Sequence, residues 1–426
     1  MGKKFLAAMV SFLMFGVASA EKIVLTPQKS VELAMENNSS LKQSSIGLKT
    51  RQREKKYSWN GIGPSASVSA NYSSTLPSKE GSRDSVSLGA SVSANLTTSL
   101  YTQIKGAEIA LEQQKITYEQ AVKDIQLAVY KSYYNILYGQ ENLNLSRKNL
   151  DTKRKQYEAN KEKFNRGMLS KVDVLSAQIN CQNTELDVEQ KKMALDNSIE
   201  QFKLVLGIGL GSELEFTGDF RNLYDVEKIN VDGIDPKSSS ISSLEKQLES
   251  AKNSLLALRF GAYSPSLSAG YSYTNTYDAN GFNKISDGGS LRIGATIPLD
   301  GLLPWSRNSV QIEAQKDNIE SLGLKLVNER VNFQIESDIL VKKINQCIKN
   351  IKVRKNGIDL AETNYNMTYE AYNHGIRDLL TLQAAQDNLL SSRVSLVSEA
   401  NTLIATVFEL ENKWGLEYGS LLGDIK

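Results

Sequence analysis

Two stretches of this chain repeat each other, and that duplication limits its possible folds more than any other feature. Tyr157 to Gln178 (YEANKEKFNRGMLSKVDVLSAQ) aligns without a gap on Tyr365 to Gln386 (YNMTYEAYNHGIRDLLTLQAAQ). Gly167 falls on Gly375, and the difference of those numbers, 208, sets the register. Glu162 then meets Glu370, Asn165 meets Asn373, and Ala177-Gln178 meets Ala385-Gln386. Asn180 meets Asn388, Leu195 meets Leu403 and Gly207 meets Gly415. A register held for about fifty residues describes two copies of one architecture. Each copy centres on an Asn-x-Gly turn between long proline-free stretches, with no proline between Pro77 and Pro236 or after Pro304.

The chain opens with an export signal over 1–20: basic Lys3 and Lys4, apolar Phe5 to Val17, and Ala18-Ser19-Ala20 before Glu21. No cysteine follows the cleavage site, so no lipid anchor is expected. Of 50 basic and 48 acidic residues, Lys3 and Lys4 lie in the signal, which leaves the mature chain formally neutral. That balance gives no nucleic-acid binder. The mean hydropathy is −0.34, and beyond the signal no run of about 18 apolar residues offers a spanning helix. A membrane role would therefore require strands closed into a barrel.

Strands are present. Ala66, Val68, Ala70 and Tyr72 alternate with serines and Asn71; Val86, Leu88, Ala90, Val92, Ala94 and Leu96 alternate with Ser, Gly and Asn. The second copy repeats this with Leu267, Ala269, Tyr271 and Tyr273, then Leu291, Ile293, Ala295 and Ile297. Period two over roughly ten residues reads as two hairpins, about 64–98 and 264–299. They fit either a soluble sandwich or spanning strands with lipid on one side and a polar lumen on the other. The opposing residues are small and uncharged except Arg292, which suits a lumen.

Long helices follow each hairpin, over about 100–206 and 305–414. A continuous helix over 100–166 would be roughly 100 Å long and would need coiled-coil support. Leu382, Leu389, Leu396, Leu403 and Leu410 supply a seven-residue seam, with Leu390, Val397 and Ile404 beside it. Val172, Ile179, Leu186 and Met193 show the same period in the first copy and are expected to pack likewise. The domain plan is a signal at 1–20, a first repeat at 21–207, a linker at 208–240 and a second repeat at 241–426. Within the first repeat, 21–60 reads as one helix after Thr26-Pro27.

Catalytic chemistry is not legible. His374 is the single histidine, no phosphate loop or metal-ligand spacing occurs, and no cofactor is expected. Cys181 and Cys347 lie at unequal helical distances from their turns, so no intrachain disulfide is expected. Four strands cannot enclose an interior or tolerate open edges in hydrocarbon. If the strands span the membrane, copies must share one barrel: two give eight strands, three give twelve, and twelve could leave a conduit.

The order of signal, strand pair, long helix, Phe164-Asn165-Arg166-Gly167 turn with Ser170, and Asp173-Val174-Leu175-Ser176-Ala177-Gln178 helix, twice over, resembles the TolC family of outer-membrane efflux proteins. Leu25-Thr26 with Val31 to Asn38, and Ile297-Pro298-Leu299-Asp300, also resemble its motifs. The resemblance implies an α+β membrane protein: a homotrimer with a 12-stranded outer-membrane barrel, four strands per chain, continuous with a periplasmic helical barrel. It implies contact with outer-membrane lipid, and partnership with a periplasmic adaptor and an inner-membrane pump. The implied adaptor-docking tips are Gly167, Met168, Leu169, Ser170, Gly375, Ile376 and Arg377, with Asp378 beside them. The implied periplasmic gate uses Asp173, Tyr372, Arg377 and Asp378. The family's constricting aspartate ring maps to Thr381 and Ala384, which carry no charge, and Asp378 is the nearest substitute. The alternative to an exit duct is a periplasmic coiled-coil structural or adaptor protein with a soluble β-sandwich.

Overall fold

The computed structural model describes residues 23–74, 84–231, 233–279 and 281–422. The expected signal, the loop with Pro77 and Gly81, and Asn280 lie outside the described residues. Contacts divide the chain into two compact units. One draws on Met1–Gln43, Gln120–Ser238 and Phe333–Lys426, the other on Ser44–Glu119 and Ser239–Asn332. Each unit is thus built from both repeats.

The first unit holds the core. Strand β1 (Ile23–Leu25) leads into helix α1 (Pro27–Asn37), which Thr26 caps by accepting the Lys29 amide at 3.2 Å. The single helix expected over 21–60 is broken at Asn38, whose backbone is extended before α2 (Ser39–Lys56). The cause is the Asn38 side chain, which accepts the Ser40 and Leu41 amides and donates to the Val205 carbonyl at 2.9 Å.

Helices α3 (Ser99–Asn165), α4 (Lys171–Leu206), α6 (Arg307–Asn373) and α7 (Leu379–Trp414) contribute the rest of this unit. Strand β4 (Leu214–Phe216), from the segment expected to be a plain linker, pairs parallel with β1. Tyr133 lies beneath this pair. Its hydroxyl proton is shared between the carbonyls of Leu25 (2.8 Å) and Thr217 (2.6 Å), and its oxygen accepts the Thr217 amide. Phe202 and Phe216 pack edge-on or tilted around it. At the end of α4, Gly207 has φ of 71°, and a Cβ there would lie 2.6 Å from the Asn37 carbonyl oxygen. Only glycine lets the ends of α1 and α4 approach so closely.

The seam of α7 is buried as expected: Leu382, Leu389, Leu396, Leu403 and Leu410 all lie in the interior. The matching stripe of α4 does not pack within its own chain. Val172, Ile179, Leu186 and Met193 are 56–71% exposed. The buried side of α4 carries Ala177, Val188 and Phe202, and Val188 clusters with Cys181, Leu195, and Leu143 and Leu150 of α3. Two apolar stripes of equal period run along α4, and periodicity alone does not say which turns inward. Cys181 and Cys347 are free, and burial pushes the Cys347 thiol up to about 11.

The second unit contains α5 (Ser239–Tyr263) and one antiparallel sheet in the order β2-β3-β5-β6, from Ser65–Ser74, Asp84–Thr97, Ser266–Asp278 and Lys284–Thr296. The edges, β2 and β6, have no further strand beside them among the described residues. Register aligns Val68, Ala90 and Tyr273 in one row and Val92 with Tyr271 and Leu291 in another. One face is therefore largely apolar, with Asn275 and Asp287 toward the hairpin end, and the other largely Ser, Gly, Asn and Thr, with Arg292 and Asp278 on it. Val68 is 86% exposed, so the apolar face has no covering layer. A sandwich would have buried it. No helix among the described residues is long and apolar enough to cross a membrane.

Candidate functional site

The repeated turns form matching tips. Helix α3 ends with the Gly167 amide bonding the Phe164 carbonyl (2.8 Å) and the Met168 amide bonding that of Lys163 (2.9 Å). Helix α6 ends identically, Gly375 to Tyr372 (3.0 Å) and Ile376 to Ala371 (2.8 Å). This double closure needs a left-handed residue after the helix, and Gly167 and Gly375 have φ of 73° and 72°. Nothing lies within 4 Å of a Cβ built at either glycine. Backbone conformation, not crowding, therefore calls for glycine here.

The next helices are capped by different chemistry at equivalent positions. Ser170 accepts the Asp173 amide (3.2 Å) and donates its hydroxyl to the Asp173 carboxylate (2.6 Å). Asp378, the equivalent of Ser170, itself accepts the Thr381 amide at 2.9 Å. The hydrogen bonds from Thr381, side chain first and then backbone, hold its carboxyl below the usual range. The acid has thus moved from the third helical position in the first copy to the cap in the second, and both serve the start of a helix. Apolar side chains crown the tips in equivalent pairs: Met168 with Ile376 and Val172 with Leu380, each 71–74% exposed.

The expected gate residues are only partly brought together. Tyr372 donates its hydroxyl to Asn160 Oδ1 at 2.6 Å, and the Lys163 ammonium stands 4.6 Å from its ring centroid. Burial chiefly, with the nearby Asp173 charge also contributing, raises the Tyr372 phenol above its ordinary value. Arg377 is exposed, and its charge helps to lower Asp378. No ion pair joins Asp173 to Arg377 among the described residues of one chain. His374 is an exposed turn residue whose amide bonds the Glu370 carbonyl.

Sequence reasoning missed the layer behind the tips. Lys153, Gln156 and Asn160 of α3 and Gln383 and Gln386 of α7 are all buried. The Lys153 ammonium meets Asp387 at 3.0 Å, and Gln386 donates to Asn149 at 2.7 Å. Gln156 Nε2, Asn160 Nδ2 and Gln386 Oε1 have no hydrogen-bond partner among the described residues. A polar residue interrupting a leucine seam, as Gln386 does between Leu382 and Leu389, was the available signal.

Residues 31–208 match the family model described as outer membrane efflux protein. No curated protein sequence matches the chain. Solved structures match over nearly all of it. CusC aligns with a TM-score of 0.73 at 14% identity, covering 95% of this chain and 96% of its own. The CmeC outer membrane channel of Campylobacter jejuni gives 0.72 at 16%, covering 96% and 93%. VceC, an outer membrane protein of Vibrio cholerae, gives 0.72 at 13%, covering 92% and 96%. Residues 31–208 thus carry the outer membrane efflux protein sequence pattern, and the chain has the fold of these solved structures.

Proposed function

We propose that this chain is an outer-membrane exit duct for an efflux system, a conduit with no bond-making chemistry of its own. The single observation that carries this is the one-layer sheet of the second unit, apolar on one face, polar on the other and open at both edges. In water that apolar face has no shelter, and in hydrocarbon the open edges are intolerable. Closure with strands from other copies resolves both.

Three copies supply twelve strands. The helices favour a closed ring of copies. Besides the outward stripe of α4, α6 carries Val353, Leu360 and Met367 at seven-residue spacing, 69–73% exposed. Two different exposed seams on one chain suit a heterologous contact, α4 of one copy against α6 of the next, which closes into a ring. The apolar crowns of the tips, Met168, Leu169 and Ile376 around Gly167, Ser170, Gly375 and Arg377, are the proposed seat of a periplasmic adaptor, which links the duct to an inner-membrane pump.

Asp173, Tyr372, Arg377 and Asp378 are the proposed gate. Because Arg377 meets no acid other than its neighbour Asp378 among the described residues, its latch partner is Asp173 of an adjacent copy. The partnerless polar atoms behind the tips favour motion: each unmade buried bond costs about 1–3 kcal/mol, so this layer is easier to part than an apolar seam.

Reconstitution of the mature protein in planar bilayers, with crosslinking, tests the duct. Trimers and stepwise conductance are expected; a monomeric, non-conducting protein would sink the proposal. In the same assay Asp173→Ala and Arg377→Ser should each raise conductance, and unchanged conductance in both removes the latch.

A further inference from the structure

The polar face of the sheet is nearly free of charge. On β2 it presents Ser65, Ser67, Ser69, Asn71 and Ser73, and on β3 Ser85, Ser87, Gly89, Ser91, Ser93 and Asn95. On β5 and β6 the residues in register with these are Ser, Gly and Thr, apart from Asp278 at the hairpin end and Arg292 in the middle of β6. Arg292 lies in the row Ser65, Ser93, Gly270, Arg292, one residue from each strand. Its cross-strand neighbour has no side chain, and the residues two before and two after it on β6 are Ser290 and Gly294. Arg292 is exposed, and no ion pair or hydrogen bond to it is found among the described residues. The acid of β6, Asp287, pairs with Lys284 at 2.7 Å near the hairpin end and stands in the row of Asn275 and Leu88, on the opposite face from Arg292.

An arginine in that setting has no structural task. It anchors no helix, bridges no strand and packs on no aromatic ring. Closure of the barrel would not supply a counter-ion either. The edge facing β6 of one copy is β2 of the next, and β2 offers only serine and asparagine on this face. We infer that Arg292 is a selectivity residue of the duct: repeated around the lumen, it forms a ring of fixed positive charge that favours anionic solutes. Rings of charged side chains set ion preference in pores, and a ring on a wall otherwise of hydroxyls and glycines acts without competition. Arginine remains charged at any physiological pH, so the preference does not titrate. The inference rests on the duct reading and on the polar face lining the lumen.

The experiment measures reversal potential across a planar bilayer holding the full mature protein, under a potassium chloride gradient. The wild-type channel should favour chloride. Arg292→Ser should lose that preference, Arg292→Glu should reverse it toward potassium, and Arg292→Lys should keep it. Conducting channels whose reversal potential is the same in wild type, Arg292→Ser and Arg292→Glu overturn the inference and leave the duct standing. Wild-type protein that inserts without conducting removes the duct reading, and this inference with it. Trimer content by crosslinking, compared between Arg292→Lys and Arg292→Ser, separates a charge effect from misfolding.

Discussion

Helices α4 and α7 occupy the same place in their repeats, have the same 36-residue length and end in the same glycine-capped turn, yet they meet opposite environments. The Leu382 to Leu410 seam of α7 lies in the interior, whereas the Val172 to Met193 stripe of α4 is open. Duplication therefore copied geometry without copying burial. One helix completes the core of its own chain. The other divides its apolar residues, turning Val188 and Phe202 inward and leaving a second stripe exposed. The difference teaches that an apolar stripe in this fold reports a contact but not whose contact it is.

The sharpest way to break this comparison is to place a charge on each side of α4. Val188→Asp buries an unpaired carboxylate among Leu143, Leu150 and Leu195 and should abolish folding, seen as lost helical circular dichroism. Ile179→Asp with Leu186→Asp should keep the helical signal but lose the oligomer in size-exclusion chromatography. Intact oligomers in that double variant would remove the outward stripe as an interface. Next in size, Leu403→Ala, at a fully buried site of α7, should cost about 2–5 kcal/mol in denaturant unfolding. Leu186→Ala should cost no more than ~0.5 kcal/mol wherever the chain is monomeric.

A smaller effect is expected at the tips, where the two copies agree. Gly375→Ala forces an L-residue into the left-handed region and should cost about 1–2 kcal/mol. Because no atom crowds the site, Gly375→Asn should be tolerated better. Equal melting temperatures for both variants would contradict the conformational explanation.

The smallest effect is a pH dependence at the end of α7. Glu411 is buried and accepts the Gly419 and Leu421 amides at 2.9 and 2.8 Å and the Ser420 hydroxyl at 3.3 Å, holding the segment after α7 in place. Burial outweighs these bonds and raises its carboxyl above the ordinary 4.5. A folded-state value above the unfolded one means that the protonated form stabilises. That contribution is complete below pH 4.5 and fades as pH rises through the folded value. Relative to Glu411→Gln, wild type should therefore lose thermal stability as pH rises through that window. A constant difference between the two would refute it.

Much of this molecule was legible before its structure. The two-residue alternation from Ala66 and from Leu267 located four strands because each side chain's face depends only on its own parity. The helices were legible because proline is missing across them, and the tips because Asn-x-Gly marks a left-handed stop. Less of the candidate site could be read. Asp173 and Arg377 looked like partners by position, but Asp173 turns to Ser170 three residues away and Arg377 stays beside Asp378. A charge pair chosen by register ignores the local bond that competes for the acid.

The sequence by itself determined the duplication, the strand faces and the paired turns, because these depend on residues within one or two turns of each other. Only the tertiary structure decided the rest. It chose which stripe of α4 is inward, since Leu143 and Leu150 must arrive from α3 to select it. It paired β1 with β4 through Tyr133, across roughly 190 residues of chain, and it placed Glu411 under the residues after α7. It also left Arg292 alone in its row, because strand register over all four strands is what shows that no acid shares that row. Local periodicity records which faces differ; burial and pairing depend on segments that meet only when the chain has folded.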